Sequence, residues 1–264
     1  DWSVTGVQTC ALPICSVGAS SARPALAHPR SIAVTNDGDD DHLDETLVVT
    51  EFFGQRTGPE TDHTAAADTN WIGLVYLVAV SDDSVERVEL GALPDTGFDT
   101  PGPNGTTVPT GCFPNQLQGV TVHEGRAYVT SICASPGGPT TPRTHTHPVV
   151  SVVDVAQGAE IAAGPFNLAS SLWHEHYEVL GTPPEARRLP LVANKIAFDP
   201  AGGRAYVAAN GADALFRIVV DDLSGAVMDV GAPAGKHFID LAPPGLDEAD
   251  RGMNPIGVVA ARTQ

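Results

Sequence analysis

One pattern recurs along the chain and constrains the fold more than any other feature, because a repeated sequence unit implies a repeated piece of structure. Its first copy is His28-Pro29-Arg30-Ser31-Ile32-Ala33-Val34, followed after a polar loop by Thr46-Leu47-Val48-Val49-Thr50. The second runs from Gln116-Leu117-Gln118-Gly119-Val120-Thr121-Val122 to Arg126-Ala127-Tyr128-Val129-Thr130. The third joins Val192-Ala193-Asn194-Lys195-Ile196-Ala197-Phe198 to Arg204-Ala205-Tyr206-Val207-Ala208, and a fourth begins at Asn254-Pro255-Ile256-Gly257-Val258. The aligned apolar positions Ile32, Val120, Ile196 and Val258 lie 88, 76 and 62 residues apart.

Each paired unit is followed by a longer apolar stretch: Gly73–Val80, Val149–Val155 and Ala214–Val220. A fourth strand is predicted at Val85–Leu90, Ala159–Ala162 and Val227–Val230. Leu74–Val80 and Val149–Val155 are almost continuously apolar, the pattern of strands covered on both faces. Four antiparallel strands per unit, the third of them apolar, describe a blade of a β-propeller, in which neighbouring blades cover both faces of each sheet. The expected architecture is all-β: a partial propeller of about three four-stranded blades (28–92, 115–163 and 192–231) plus the start of another at 254. Ordinary blades take about 40–45 residues, so these carry insertions. Gly54–Asn70, Leu93–Phe113 and Ser135–His147, rich in Gly, Pro, Thr and Asp, read as surface loops.

The units ending Tyr128-Val129-Thr130-Ser131 and Tyr206-Val207-Ala208-Ala209-Asn210 resemble the Tyr-Val-Thr-Asn family of bacterial β-propeller repeats. The turn Asp199-Pro200-Ala201-Gly202-Gly203-Arg204 is similar to that family's Asp-x-x-Gly turn between first and second strands. Phe113–Gln118 through Ala134-Ser135-Pro136 further resembles extracytoplasmic propellers that occur beside c-type cytochrome domains. The first unit departs from the pattern, since Val48-Val49-Thr50-Glu51 lacks the Tyr. The resemblance implies a seven-bladed parent, of which this chain would be an open arc, and an extracytoplasmic (periplasmic or secreted) location. Haem would be present only if a region beyond this chain supplied it.

Composition narrows the function classes. A formal charge of −18 from 32 acidic against 14 basic residues argues against nucleic acid, whose phosphates demand clustered Lys and Arg, and against an anionic membrane surface. No apolar run reaches the roughly 18 residues a membrane span requires. With 27 glycines, 22 prolines and only 17% charged residues, the chain suits a fold with many reversals. Val4–Ile14 resembles translated sequencing-library adapter read-through, so residues 1–15 are expected to be an artefact and 16–264 the incomplete propeller. Setting that segment aside leaves two cysteines, Cys112 and Cys133. They flank two candidate strands, where they either form a disulfide, implying an oxidising compartment, or stay as buried free thiols.

Three groups of residues are candidate sites. The loop Asn36–Glu45 is dense in carboxylates, and Asp37, Asp39 and Asp41 could hold calcium. The EF-hand pattern fails there, because its sixth position is His42 and its twelfth Val48; a solvated turn is the competing reading. His145/His147 and His174/His176 are i, i+2 pairs, which share a face if they lie on strands and could then chelate a transition metal. At the entries of the innermost strands, His28, Gln116 and Asn254 share one column and Arg30, Gln118 and Asn194 the next. These side chains either meet a ligand in the channel or satisfy backbone groups of neighbouring loops.

No serine-nucleophile elbow, His-Glu-x-x-His, phosphate loop or dinucleotide glycine fingerprint occurs. The expected function is therefore a non-catalytic extracytoplasmic binding or scaffold module. Its partner would be a protein or small molecule, its other neighbours the missing blades of the parent chain, and its parent a cytochrome-linked redox protein. The alternatives are a lactonase-like metal-dependent hydrolase and a cell-surface adhesion module.

Overall fold

The computed structural model describes residues 28–57, 68–137, 141, 144–200, 204–231, 236–243, 245 and 254–261. The segment 1–15 lies outside them. Three antiparallel sheets follow one another along the chain. The first contains β1 (Pro29–Val34), β2 (Thr46–Glu51), β4 (Trp71–Ala79) and β5 (Val85–Leu90), with β3 (Gln55–Arg56) extending the pairing of β4. The second contains β8 (Phe113–His123), β9 (Arg126–Ala134), β10 (Thr146–Asp154) and β11 (Ala159–Glu160), with β12 (Phe166–Asn167) on β10. The third contains β13 (Val192–Phe198), β14 (Arg204–Asn210), β15 (Ala214–Val220) and β16 (Val227–Asp229), with β17 (Phe238–Asp240) on β15. Each is a four-stranded meander, and the sheets pack face to face in sequence order. The chain is thus an open run of three propeller blades, as the repeat predicts.

Burial follows the alternation and the apolar runs. In β5, Val88 and Leu90 are buried while Glu86, Arg87 and Glu89 face water. Seven consecutive residues of β10, from His147 to Val153, are buried, because a blade lies against each face. One core joins Val48, Val75, Leu77 and Leu90 of the first blade to Leu117, Val120 and Val129 of the second. A larger one joins Tyr128, Val150 and Val152 to Ile196, Val207 and Phe216 of the third. Burying side chains of this size contributes roughly 1.5–3 kcal/mol each. On β15 burial alternates instead, and Val219 is 37% exposed, since no further sheet covers that face among the described residues. Ile32, equivalent to the buried Val120 and Ile196, is likewise 59% exposed.

The innermost strands β1, β8 and β13 run side by side and bond across the blades. Ser31 Oγ accepts from Val120 N at 3.2 Å, Lys195 Nζ donates to the Val120 carbonyl at 3.0 Å and Thr121 Oγ1 to the Ile196 carbonyl at 2.8 Å. Gly119 is required here. A Cβ at this position would sit 2.4 Å from the Asn194 carbonyl oxygen, too close for any side chain. Tyr128, part of the Tyr-Val-Thr repeat, donates its hydroxyl to Gly225 O of the third blade at 3.1 Å.

Two expectations change, and one element is new. Leu93–Phe113 is more than a surface loop: it contains the hairpin of β6 (Asp99–Pro101) and β7 (Thr107–Pro109) and buries Thr96, Phe98 and Thr110. Residues 254–261 form no strand, because no second strand lies beside them to pair with among the described residues. They are held to the third blade by Gly211 N donating to Asn254 Oδ1 (3.1 Å) and Asn254 N to Asp213 Oδ1 (2.8 Å). Finally, after β12 the chain forms a helical insertion, Leu168–Ser170 continued by a π-helix over Ser171–Glu178. Asn167 caps its start by accepting from the amides of Ala169 and Ser170.

Candidate functional site

The polar columns at the strand entries are largely consumed by the fold. The His28 amide donates to Glu51 at 2.8 Å and its imidazole Nδ1 lies 3.3 Å from the same carboxylate, which is 1% exposed. Burial raises the Glu51 pKa, and the His28 backbone and side chain oppose the shift. Arg30 reaches Gln118 Oε1 of the next blade at 3.4 Å and lies over the Phe52 ring. Asn194 donates to Asn210 Oδ1 (2.8 Å) and Pro255 O (3.3 Å), and Asn254 serves Gly211 as described. Gln116 sits at φ 47°, where β8 bulges against β9. Arg30–Gln118 joins the first blade to the second, while the other contacts satisfy polar groups within a blade or tie residues 254–255 to the third.

The acidic loop has two roles. Asp37, Asp39 and Asp41 each accept from the amide two residues on, Asp39 N at 3.0 Å, Asp41 N at 2.8 Å and Leu43 N at 2.9 Å. These Asx turns give the solvated loop its shape. The oxygens that converge belong to Asp37, Asp39 and Asp44, all within 4.8 Å of one another, while Asp41 bonds to Leu43. Local desolvation, then the carboxylates of Asp39 and Asp37, raise the pKa of the exposed Asp44. This loop forms one wall of a cleft of about 500 Å³ between the first two blades. Val34, Asn36, Asp37, Asp44 and Glu45 line one side, and Val122, His123 and Glu124 the other. Buried Glu45 is fastened by a very short hydrogen bond from Thr35 Oγ1. Four carboxylates from two blades thus surround one space, with no Lys or Arg among its lining residues.

The His pairs separate, which corrects the strand-based expectation. His174 and His176 lie on the π-helix, where residues two apart point to different sides. His174 bonds to Glu178 Oε2 at 2.9 Å and to the Gly97 carbonyl at 2.7 Å. His176 Nε2 instead meets Asp229 Oδ1 of β16 at 2.8 Å. The His176 ring also contacts that of His237, with centroids 3.9 Å apart, a residue that sequence reasoning missed. Burial lowers the His237 pKa, with His176 as the next cause. His145 lies in the turn before β10 and His147 on the strand itself. Buried His147 stacks on Phe98, and its Nδ1 lies 3.3 Å from Asn167 Nδ2. The Asn167 oxygen is occupied by two helix amides, so its NH2 group donates and His147 Nδ1 accepts. Burial, then His145, pushes the His147 pKa down to about 4.

Cys112 and Cys133 form a disulfide with Cα atoms 5.3 Å apart, tying the base of the β6–β7 insertion to β9. Among the described residues no helix is long and apolar enough to cross a membrane.

No protein-family model matches the chain, and no curated protein matches it. Among solved structures it is similar to hydrazine synthase of Kuenenia stuttgartiensis (12% identity, TM-score 0.35), covering 66% of this chain and 36% of that one. It is also similar to a candidate 6-phosphogluconolactonase of Bacteroides uniformis (10% identity, TM-score 0.34), covering 91% and 60%. A Lactobacillus plantarum protein matches at 11% identity and TM-score 0.29, covering 83% and 57%. The chain therefore spans between about a third and three fifths of the length of these proteins. At such scores the overlays carry no functional conclusion, and the propeller assignment rests on the sheets themselves.

Proposed function

We propose that this chain is a non-catalytic binding module of an extracytoplasmic propeller protein, and that the cleft between its first two blades receives a cationic ligand or the basic segment of a partner. The observation that carries the reading is the convergence of Asp37, Asp44, Glu45 and Glu124 on one cleft of about 500 Å³. A cleft lined by one sign of charge raises the local concentration of the opposite sign and speeds its capture. The Cys112–Cys133 disulfide supports an oxidising compartment. The likeness of the Tyr-Val-Thr units to the Tyr-Val-Thr-Asn family extends the reading to a redox parent whose cytochrome domain and haem lie elsewhere. A lactonase-like hydrolase would need polar channel residues free to hold a divalent metal. The occupation of His28, Arg30, Asn194 and Asn254 by contacts within and between blades favours binding over that alternative.

Titration calorimetry with a tetralysine peptide at low ionic strength tests the proposal. Binding should weaken as salt is added and fall at least fivefold in the Asp37→Asn/Glu124→Gln double variant. Neutralising Glu86 and Glu89, which lie outside the cleft, should leave it unchanged. Equal weakening by both double variants, or no binding to the wild type, overturns the reading.

A further inference from the structure

The outer edge of the contact between the second and third blades brings together side chains that are far apart in sequence. His176 comes from the π-helix inserted after β12, Asp229 ends β16, and His237 precedes β17. His176 Nε2 lies 2.8 Å from Asp229 Oδ1, and the two imidazole rings are 3.9 Å apart and tilted by 37°. Glu175 also offers an oxygen within 4.8 Å of the His176 and Asp229 ligand atoms. Asp229 is oriented by the Ser171 hydroxyl, which donates to Oδ1 at 3.2 Å and accepts from Val230 N at 3.4 Å.

His237 is the decisive residue. It is 5% exposed and its ring nitrogens lack a well-formed hydrogen bond, the backbone of Val230 being the polar group that acts on it. Leaving a buried polar group unsatisfied is costly, and this one faces another imidazole beside a carboxylate. Arg217, whose charge acts on His237, is committed to the carbonyls of Lys236 and Phe238 at 2.8 and 2.9 Å.

We propose that Glu175, His176 and Asp229, whose ligand atoms lie within 4.8 Å of one another, form with the neighbouring His237 a site for a divalent metal ion of the zinc class that clips the helical insertion to the third blade. Two imidazoles and a carboxylate are a donor set for zinc or its late first-row neighbours, whereas calcium and magnesium require mainly oxygen. The ion replaces the proton shared by His176 and Asp229 and gives His237 the well-formed bond it lacks. Ser171 is then the outer group that orients the carboxylate, the arrangement by which metal sites hold their ligands in place. The proposal is independent of the acidic cleft.

The test uses the whole chain, stripped with EDTA and dialysed. Zinc chloride should bind with a stoichiometry of one and raise the melting temperature, and cobalt(II) should give the visible absorption of a nitrogen- and oxygen-ligated ion. His237→Ala and Asp229→Asn should each weaken zinc binding at least tenfold, whereas His174→Ala, on the same helix but outside the site, should not. Should His237→Ala fail to fold, His176→Gln with the cobalt spectrum gives the same reading. Absence of zinc binding, or equal affinity in the His237 and His174 variants, overturns the proposal.

Discussion

Glu160 is a buried carboxyl wedged between two blades, and its replacement by glutamine makes a sharp test of the packing. Its Oε2 accepts from the Gly91 amide, just past β5 of the first blade, at 2.7 Å, and Oε1 is buried. Burial pushes its pKa from 4.5 up to about 7, against the pull of the Gly91 amide and Ser151. The unfolded chain ionises this group near 4.5, so the folded protein holds an extra proton between 4.5 and 7. Stability is full below pH 4.5 and is lost as pH rises through 7, where a charge must be buried. A shift of this size corresponds to at most about 3 kcal/mol, and relaxation brings the expected loss to about 1.5–3 kcal/mol. Glu160→Gln keeps the shape and an acceptor for Gly91 but cannot ionise. Urea unfolding of both proteins at pH 5 and pH 8 measures the effect. Wild type should lose about 1.5–3 kcal/mol more than the variant between the two values, and general charge repulsion in so acidic a chain cancels in the comparison. Identical pH dependence in the two proteins would refute the buried-carboxyl account.

His147 supplies the opposite slope. Its folded pKa of about 4 lies below the unfolded 6.5, so its contribution is present above pH 6.5 and is lost as pH falls towards 4, and His147→Gln should flatten the acid side of the melting-temperature profile. Gly119→Ala forces a Cβ against the Asn194 carbonyl; urea titration should register a loss on the order of 1–3 kcal/mol, and a neutral result would mean the inner strands separate easily. Opening the Cys112–Cys133 loop, with a sequence separation of 21, by Cys→Ser at both positions should cost about 3 kcal/mol, read from the same titration under oxidising conditions.

The blades were legible in the sequence because a strand's burial is written into its own residues. Val149–Val155 announces a strand covered on both faces, and Glu86, Arg87 and Glu89 mark the wet side of β5. The helical insertion was missed, although Asn167 before an Ala-Ser-Ser-Leu stretch is a capping signal, because the surrounding repeat favours strands. Strand pattern also misplaced the His174/His176 pair. Whether residues two apart share a face depends on the local backbone, and here a helix turns them to different neighbours.

Composition and periodicity thus determined the fold class, the apolar faces of the strands and the acidity of the loop between β1 and β2. Tertiary structure decided what those faces meet and which polar groups converge. His237 lies 61 residues after His176, and no local pattern relates them. They touch because the insertion after β12 folds onto the edge where β16 and β17 meet. Likewise Glu124 gains its place opposite Asp37 and Asp44 only when the second blade packs on the first. A repeat encodes each sheet locally; a site between sheets depends on long-range packing, whose partners no short stretch of sequence specifies.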